Sequence, residues 1–313
     1  IVATQWLDRN TLRPVFCTDD AEFGTSPQNM STSTVADELK ISTKGAAIVY
    51  SVAPVKDAAV LSAGHAADGA FWVNDVTGQW TTSEYYSKGA QSLVRTFNNA
   101  TSKRVTGDND AVADLSVTCV NKMGMGRDHI TDMLSVTLSA KGTEPTMWQS
   151  EMEVIYVKLD QTIASLIKRI EDKVGSDKVM FVLTSTGYVD EQPVDYQRFR
   201  IPSGTFYINR TANLLNMYLG AIYGQAKYVE TCFHNQIYLD RKLIEQRHIS
   251  FTDVITRSKE LLVQTAGVRN VATSPYNPSV SGDLVIETAP GWRILNEDNH
   301  ENYFSRAAFI PFP

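Results

Sequence analysis

The chain has 313 residues, with 29 Lys or Arg against 35 Asp or Glu, a formal net charge of −6 and 43% hydrophobic content. That acidic balance, with a pI near 5.4, excludes a general nucleic-acid binder, which carries a basic face. No run of eighteen apolar residues occurs, so no segment reads as a bilayer-spanning helix.

The length suits one large α/β domain or two smaller ones. The three cysteines, Cys17, Cys119 and Cys232, lie far apart without CxxC spacing, which argues against a structural zinc site. They read as three buried thiols, with one disulfide plus one free thiol as the alternative.

In chain order, Ser31 or Ser33 is positioned to cap a helix through TVADELKIST, and GAAIVYSV (45–52) reads as a buried strand. Trp72, Trp80, Tyr85 and Tyr86 surround Asp75-Val-Thr-Gly78, which predicts a hairpin whose turn carries glycine. Cross-strand packing explains these aromatics more simply than nucleobase stacking. Residues 87–110 are polar and read as a surface connection, followed by a helix over 110–125.

MLSVTLSA (133–140) and VMFVLT (179–184) are short, apolar and β-branched, and read as buried strands. Between them, Met152, Ile155, Leu159, Ile163, Leu166, Ile167 and Ile170 recur at three- and four-residue spacing, the stripe of an amphipathic helix over 151–172. Strand, helix and strand of these lengths predict a right-handed βαβ unit with parallel strands. Ligands in such sheets sit beyond the carboxyl ends of the strands. Here those ends are Lys141 to Thr146 and Ser185 to Tyr188, and they contain no Asp, His or Cys.

After the loop 189–204, the pattern runs helix (209–224), strand (228–240), helix (250–267) and a short strand, VRNVATS. The expected fold is therefore α/β, a mostly parallel central sheet flanked by helices, with a small α+β insertion. The core is expected at 1–204 and 276–313, and the insertion at 205–275.

Several of these segments resemble the alkaline phosphatase superfamily, in the branch of bacterial phosphomonoesterases and nucleotide pyrophosphatase/phosphodiesterases. IVATQWLD, VFCTDD (15–20) and SPQN (26–29) are similar to that family's early motifs, and the AGH and W…TG-x-W…S-x-Y-Y patterns recur at 63–86. N-Q-I-Y-L (235–239) matches the family's insertion. The resemblance implies that the nucleophile and the first metal-binding Asp precede Ile1, so the chain reads as the later part of a longer polypeptide. Any export signal would precede it too.

The resemblance also implies where the site residues fall. The phosphate-contacting Asn falls on Thr4, with Ala3 for its neighbouring Gly. Of the Lys and Arg that hold the phosphate oxygens, Lys56 keeps the first and Ala58 replaces the second. A methyl group cannot imitate a bidentate guanidinium. The strand-end patterns S-x-D-x-x-G-H and T-A-D-H-G place the zinc-binding Asp and His on Gly142, Thr146, Thr186 and Gly187. In the tail, His300 falls on the last zinc ligand, while Ala307 and Phe309 replace other motif residues. One imidazole cannot hold a catalytic zinc, which needs about three protein ligands.

The expectation is thus a non-catalytic relative, with no catalytic residues, no metal and no cofactor. It would be a binding or scaffolding component with protein partners, extracytoplasmic and associated with the periplasm or cell envelope. One alternative is a zinc-dependent phosphodiesterase or phosphomonoesterase whose site is rebuilt from residues such as Glu144, Asp190 or Glu191. The other is a phosphate or anion sensor acting through Lys56. His65, His234 and His248 read as packing or surface histidines.

Overall fold

A computed structural model of the protein describes residues 5–101, 108–140, 148–185, 196, 198–273, 280–297 and 301–303. Thr4, Gly142, Thr146, Thr186, Gly187 and His300, like Glu144, Asp190 and Glu191, lie outside the described residues. Its contacts divide into two compact units, one from Phe16–Gln192 and one from Gln5–Val15 with Pro193–Pro313.

The chain opens with a hairpin, β1 (Gln5–Asp8) and β2 (Arg13–Phe16). Asp8 closes its turn by accepting the N–H groups of Asn10 and Thr11, each at 2.8 Å. The first unit then runs β3 (Asp19–Asp20), β4 (Gly24–Thr25), α1 (Val35–Ser42), β5 (Val49–Val52), α2 (Lys56–Ala63), β6 (Gly69–Val73), β7 (Trp80–Thr81), α3 (Lys88–Thr101), α4 (Asn109–Met123), β8 (Met133–Val136) and α5 (Trp148–Val174).

The sheet order is β7-β6-β5-β8. β5 pairs in parallel with β6 (Ser51↔Ala70) and with β8 (Ser51↔Ser135), while β7 folds back antiparallel on β6. All of β5 and β6 is buried, as strands covered on both faces must be. Phe71, Trp80, Val52 and Leu115 anchor that core. Burying each large side chain is worth about 1.5–3 kcal/mol.

The hairpin predicted at 72–86 forms. Asn74 Oδ1 accepts the N–H groups of Val76 and Thr77, and Gly78 takes φ +64°. Trp72, Trp80 and Tyr86 are buried, so they fill the core and offer no stacking platform. All three cysteines are free thiols; Cys17 and Cys119 are buried and Cys232 half-buried.

Residues 87–110 depart from expectation. They hold α3, whose Ala90, Leu93 and Val94 are buried and whose Phe97 packs alongside. That i, i+3, i+4, i+7 stripe outweighs the polar composition. α2 is a second helix that was not expected.

The βαβ expectation is met only in part. β8 ends at Val136, α5 is present, but 179–184 forms no strand. A strand needs a neighbour for its N–H and C=O groups, and among the described residues nothing pairs with that run.

The second unit contains β9 (Gly204–Tyr207), α6 (Ile208–Tyr223), β10 (Val229–Phe233), β11 (Gln236–Leu239), α7 (Arg241–Gln246), α8 (Phe251–Val263), β12 (Val268–Thr273), β13 (Leu284–Thr288), β14 (Trp292–Asn296) and β15 (Glu301–Tyr303). The strand expected over 228–240 is a hairpin, broken at His234, which takes φ +52° and stacks on Phe233. β12 and β13 are antiparallel neighbours, with Val271 opposite Ile286. One sheet therefore runs across residue 275, where the insertion was expected to end.

Asp283 ties this unit together. Its carboxylate is 1% exposed and accepts hydrogen bonds from Arg9, from Arg241 (Nε, 2.9 Å) and from the Leu239 N–H (2.8 Å). Breaking a buried ion pair by removing one partner costs about 3–5 kcal/mol. Asp283→Ala is expected to destabilise the second unit by that amount, read as a lowered denaturant midpoint at unchanged m-value.

Candidate functional site

In a parallel sheet the place to search is beyond the carboxyl ends of the strands. β5 ends at Val52, and Ala53, Pro54 and Val55 lead directly into α2, whose first residue is Lys56. Lys56 thus stands at a helix N-terminus just beyond the end of β5. Beside it, after β8, Ser139 is held by both atoms of the Asn109 amide, each bond 2.8 Å.

The segment 16–29 packs over the start of α2. Thr18 Oγ1 donates to Asp57 at 2.8 Å, and Asn29 donates to the Asp19 carbonyl at 2.8 Å. Asp20 accepts the N–H groups of Glu22 (2.7 Å) and Phe23 (3.1 Å) and the hydroxyl of Ser26. The Ser26 bond, followed by those from Phe23 and Glu22, holds the Asp20 carboxyl below its ordinary value. The VFCTDD and SPQN patterns therefore build a turn-locked lobe.

Lys56 Nζ lies 3.7 Å from Asp19 Oδ1 and 5.7 Å from the centre of the Phe16 ring. Ala58, in the same helical turn, supplies no polar atom and packs against the core. Asp57 adds a second carboxylate beside the lysine. Cys17 Sγ senses this group: burial, then the Asp57 charge, raises its pKa, while Lys56 lowers it less. A thiol so placed stays protonated and inert at neutral pH. The Asp19 carboxylate beside Lys56 offsets the charge the ammonium would offer an incoming phosphate.

The AGH motif has a different role. Asp37, third residue of α1, forms a capping box with Thr34, accepting the Thr34 N–H at 2.8 Å while Thr34 Oγ1 accepts the Asp37 N–H at 3.2 Å. The same carboxylate accepts from the Ala66 N–H at 2.8 Å and from His65 Nδ1 at 3.2 Å. His65 Nε2 faces the Met30 carbonyl at 2.8 Å, and Tyr85 donates its hydroxyl to the His65 carbonyl at 2.7 Å. Both ring nitrogens face oxygen atoms, so His65 is a clamp and leaves no nitrogen for a metal. Sequence reasoning missed Asp37; the signal was the Thr34–Asp37 pair at capping-box spacing.

Of the implied site residues, the structure places Lys56 and Ala58 together at the start of α2. Among the described residues, no group of three or more His, Cys, Asp or Glu could hold a metal ion. His234 and His248 both occupy left-handed turns in the second unit, at φ +52° and +56°.

Residues 1–308 match the family model described as type I phosphodiesterase / nucleotide pyrophosphatase. The chain belongs to that family. The proteins similar to it include the alkaline phosphatase PafA of Elizabethkingia meningoseptica, 25% identical over 81% of this chain and 59% of that protein. They also include a calcium-transporting ATPase of Myroides odoratus, 22% identical over 91% of this chain and 67% of that protein. The alkaline phosphatase PhoV of Synechococcus elongatus is 21% identical over 93% and 68% respectively.

Two solved structures of PafA, a multiply substituted variant and the wild type, superpose with TM-scores of 0.75 and 0.74 at 22% identity. They cover 97% and 94% of this chain, and 75% and 72% of theirs. The alkaline-phosphatase-like fold and superfamily read from the motifs are thereby shown. This chain spans about three fifths to two thirds of the length of these curated relatives.

The zinc ligands implied by the superfamily resemblance would fall on positions that lie outside the described residues. At the implied ligand positions the sequence has Gly142, Thr146, Thr186 and Gly187. Glycine has no side-chain donor, and a neutral hydroxyl binds zinc poorly.

Two outcomes follow for the His65 corner. A Cβ on Gly64, at φ +76°, would lie 2.3 Å from Thr34 Oγ1 and 2.7 Å from Asp37 Oδ2. Gly64→Ala is expected to lower stability by more than about 2 kcal/mol, measured by thermal melting of the first unit.

Burial acts most strongly on Asp37 and would raise its pKa, but the bonds from Thr34, Ala66 and His65 together bring it below the ordinary 3.8. A depressed carboxyl stabilises the fold above the unfolded-state pKa, and that stability is lost as pH falls through the folded-state value. Asp37→Asn should therefore cost about 1–3 kcal/mol at pH 7, with a difference from the parent that narrows below about pH 4. Denaturant melts across pH 2–7 measure this.

Proposed function

We propose that this chain is a catalytically inactive member of the type I phosphodiesterase family, retained as a binding or scaffolding component of an extracytoplasmic protein complex. The observation that carries the reading is the residue set at the implied zinc positions: Gly142, Thr146, Thr186 and Gly187. Two-metal phosphoryl transfer needs carboxylates and imidazoles to hold the cations that activate the nucleophile and stabilise the leaving oxygen.

The surroundings of Lys56 support the same conclusion. Ala58 removes the second cationic contact, and Asp19 engages the first. The anion-sensor reading loses ground for the same reason, because Lys56 would have to leave a carboxylate to take a phosphate. The reading as an active hydrolase draws on the names of PafA and PhoV, both alkaline phosphatases. It requires ligands rebuilt from residues such as Glu144, Asp190 and Glu191.

Metal content by plasma mass spectrometry on the natural full-length protein, with an aryl-phosphate assay on the same sample, separates these readings. The expected result is less than about a tenth of an equivalent of zinc with no turnover above background, against about two equivalents for a two-metal hydrolase. Near-stoichiometric zinc with turnover would overturn the proposal.

A further inference from the structure

One turn of the second unit holds apolar side chains in solvent although its backbone is tied down. Residues 196–204 carry two arginines and no acidic residue, in a chain whose net charge is −6. The Ile201 N–H donates to the Tyr196 carbonyl at 2.9 Å, and Arg200 takes the left-handed conformation, at φ +57°. Arg198, Phe199 and Arg200 form the tip of that turn, and all three are exposed. Phe199 is 62% exposed and Ile201, close beside it, 45%.

Both ends of the turn are fastened beside β14. The Pro202 carbonyl accepts the Trp292 Nε1–H at 3.1 Å, and the Gly204 N–H reaches the Gly291 carbonyl at 3.4 Å. Tyr196 lies so close to Gly291 that a Cβ there would come within 2.9 Å of its ring. Burying a phenylalanine is favourable, so a ring left in water at a braced turn is held out by its backbone. Cations accompany it. The Arg198 guanidinium is 5.9 Å from the centre of the Phe199 ring, and Arg200 is the next residue. Arg293 of β14 is exposed as well and donates its Nε to Thr205 at 3.0 Å.

We propose that this turn docks the second unit onto a bilayer surface containing anionic phospholipid. Phe199 and Ile201 enter the boundary between headgroups and acyl chains, and Arg198 and Arg200 meet the headgroup phosphates. An arginine lays its stem along apolar surface while its head stays with the charge, and a guanidinium matches phosphate with two parallel hydrogen bonds.

The shape of the element favours lipid over protein. A protruding tip needs a surface that yields around it, which a fluid bilayer does; a folded partner would have to offer a matching pocket. Binding of this kind grows with the apolar area buried plus the attraction to anionic lipid. Two apolar side chains and a few arginines therefore make a weak, reversible contact. The inference does not depend on whether catalysis has been lost.

Co-sedimentation of the natural full-length protein with phosphatidylcholine vesicles, with and without phosphatidylglycerol, tests it. The expected result is binding at least about fivefold stronger where phosphatidylglycerol is present. Phe199→Ser should weaken that binding about 3–10-fold, while Phe199→Trp, whose ring suits a membrane interface, should retain it. Arg200→Asn keeps a residue that tolerates the left-handed turn and should weaken binding about fivefold. All three positions are exposed or conservative changes, so the variants should melt at the parent's temperature. Equal binding to both vesicle types would end the proposal. So would binding that Phe199→Ser leaves at the parent's level, which would reduce the contact to adsorption by charge. Absence of binding to either vesicle would refute it and leave the tip to a protein partner.

Discussion

Much of the first unit is organised by the position of one carboxylate. Asp37 closes the capping box of α1, receives the Ala66 N–H and bonds to His65, whose other nitrogen reaches the Met30 carbonyl. Two stretches distant in sequence, 30–37 and 64–66, meet there, and a glycine at 64 lets the chain pass close enough. The β5 strand and α2 are fixed at their far ends by this corner. Lys40 of α1 extends the same network to Asp68, whose carboxylate also receives the Val49 N–H. The position of the α2 N-terminus, and with it Lys56, follows from that bracing.

The AGH pattern therefore has a role in this fold that involves no metal. Its histidine serves the fold and makes no demand on metal. The strand ends and the corner answer to different physical requirements. The strand-end positions need donors for a cation; the Asp37 corner needs donors for a carboxylate.

The sequence made the long-period elements legible. α5 was visible from its stripe of Met152 to Ile170, and the hairpin at 72–86 from its aromatics and Gly78. α3 was missed because polar residues outnumber apolar ones there, although Ala90, Leu93, Val94 and Phe97 have helical spacing. The buried strand expected at 179–184 does not form, because strand formation depends on a partner that local sequence does not specify. In the candidate site, Lys56 and Ala58 were found through motif alignment. The partners of Lys56, Asp19 and Phe16, come from a segment nearly forty residues earlier, which spacing cannot reveal. Asp37 and Asp283 went unnoticed because an ionised side chain reads as surface until its buried partners are known.

The Asp283 cluster has a consequence for the order in which the chain takes shape. Arg9 and Asp283 are 274 positions apart. On a ribosome, domains fold largely as they emerge, so the first unit can complete its core while the carboxylate that Arg9 requires has not yet been made. The hairpin of β1 and β2, whose Leu7 packs with Phe233 and Tyr238, must therefore wait until residue 283 has been synthesised. Closure of that contact becomes a late event in the maturation of the second unit, and the hairpin stays open to chaperones and proteases until it occurs.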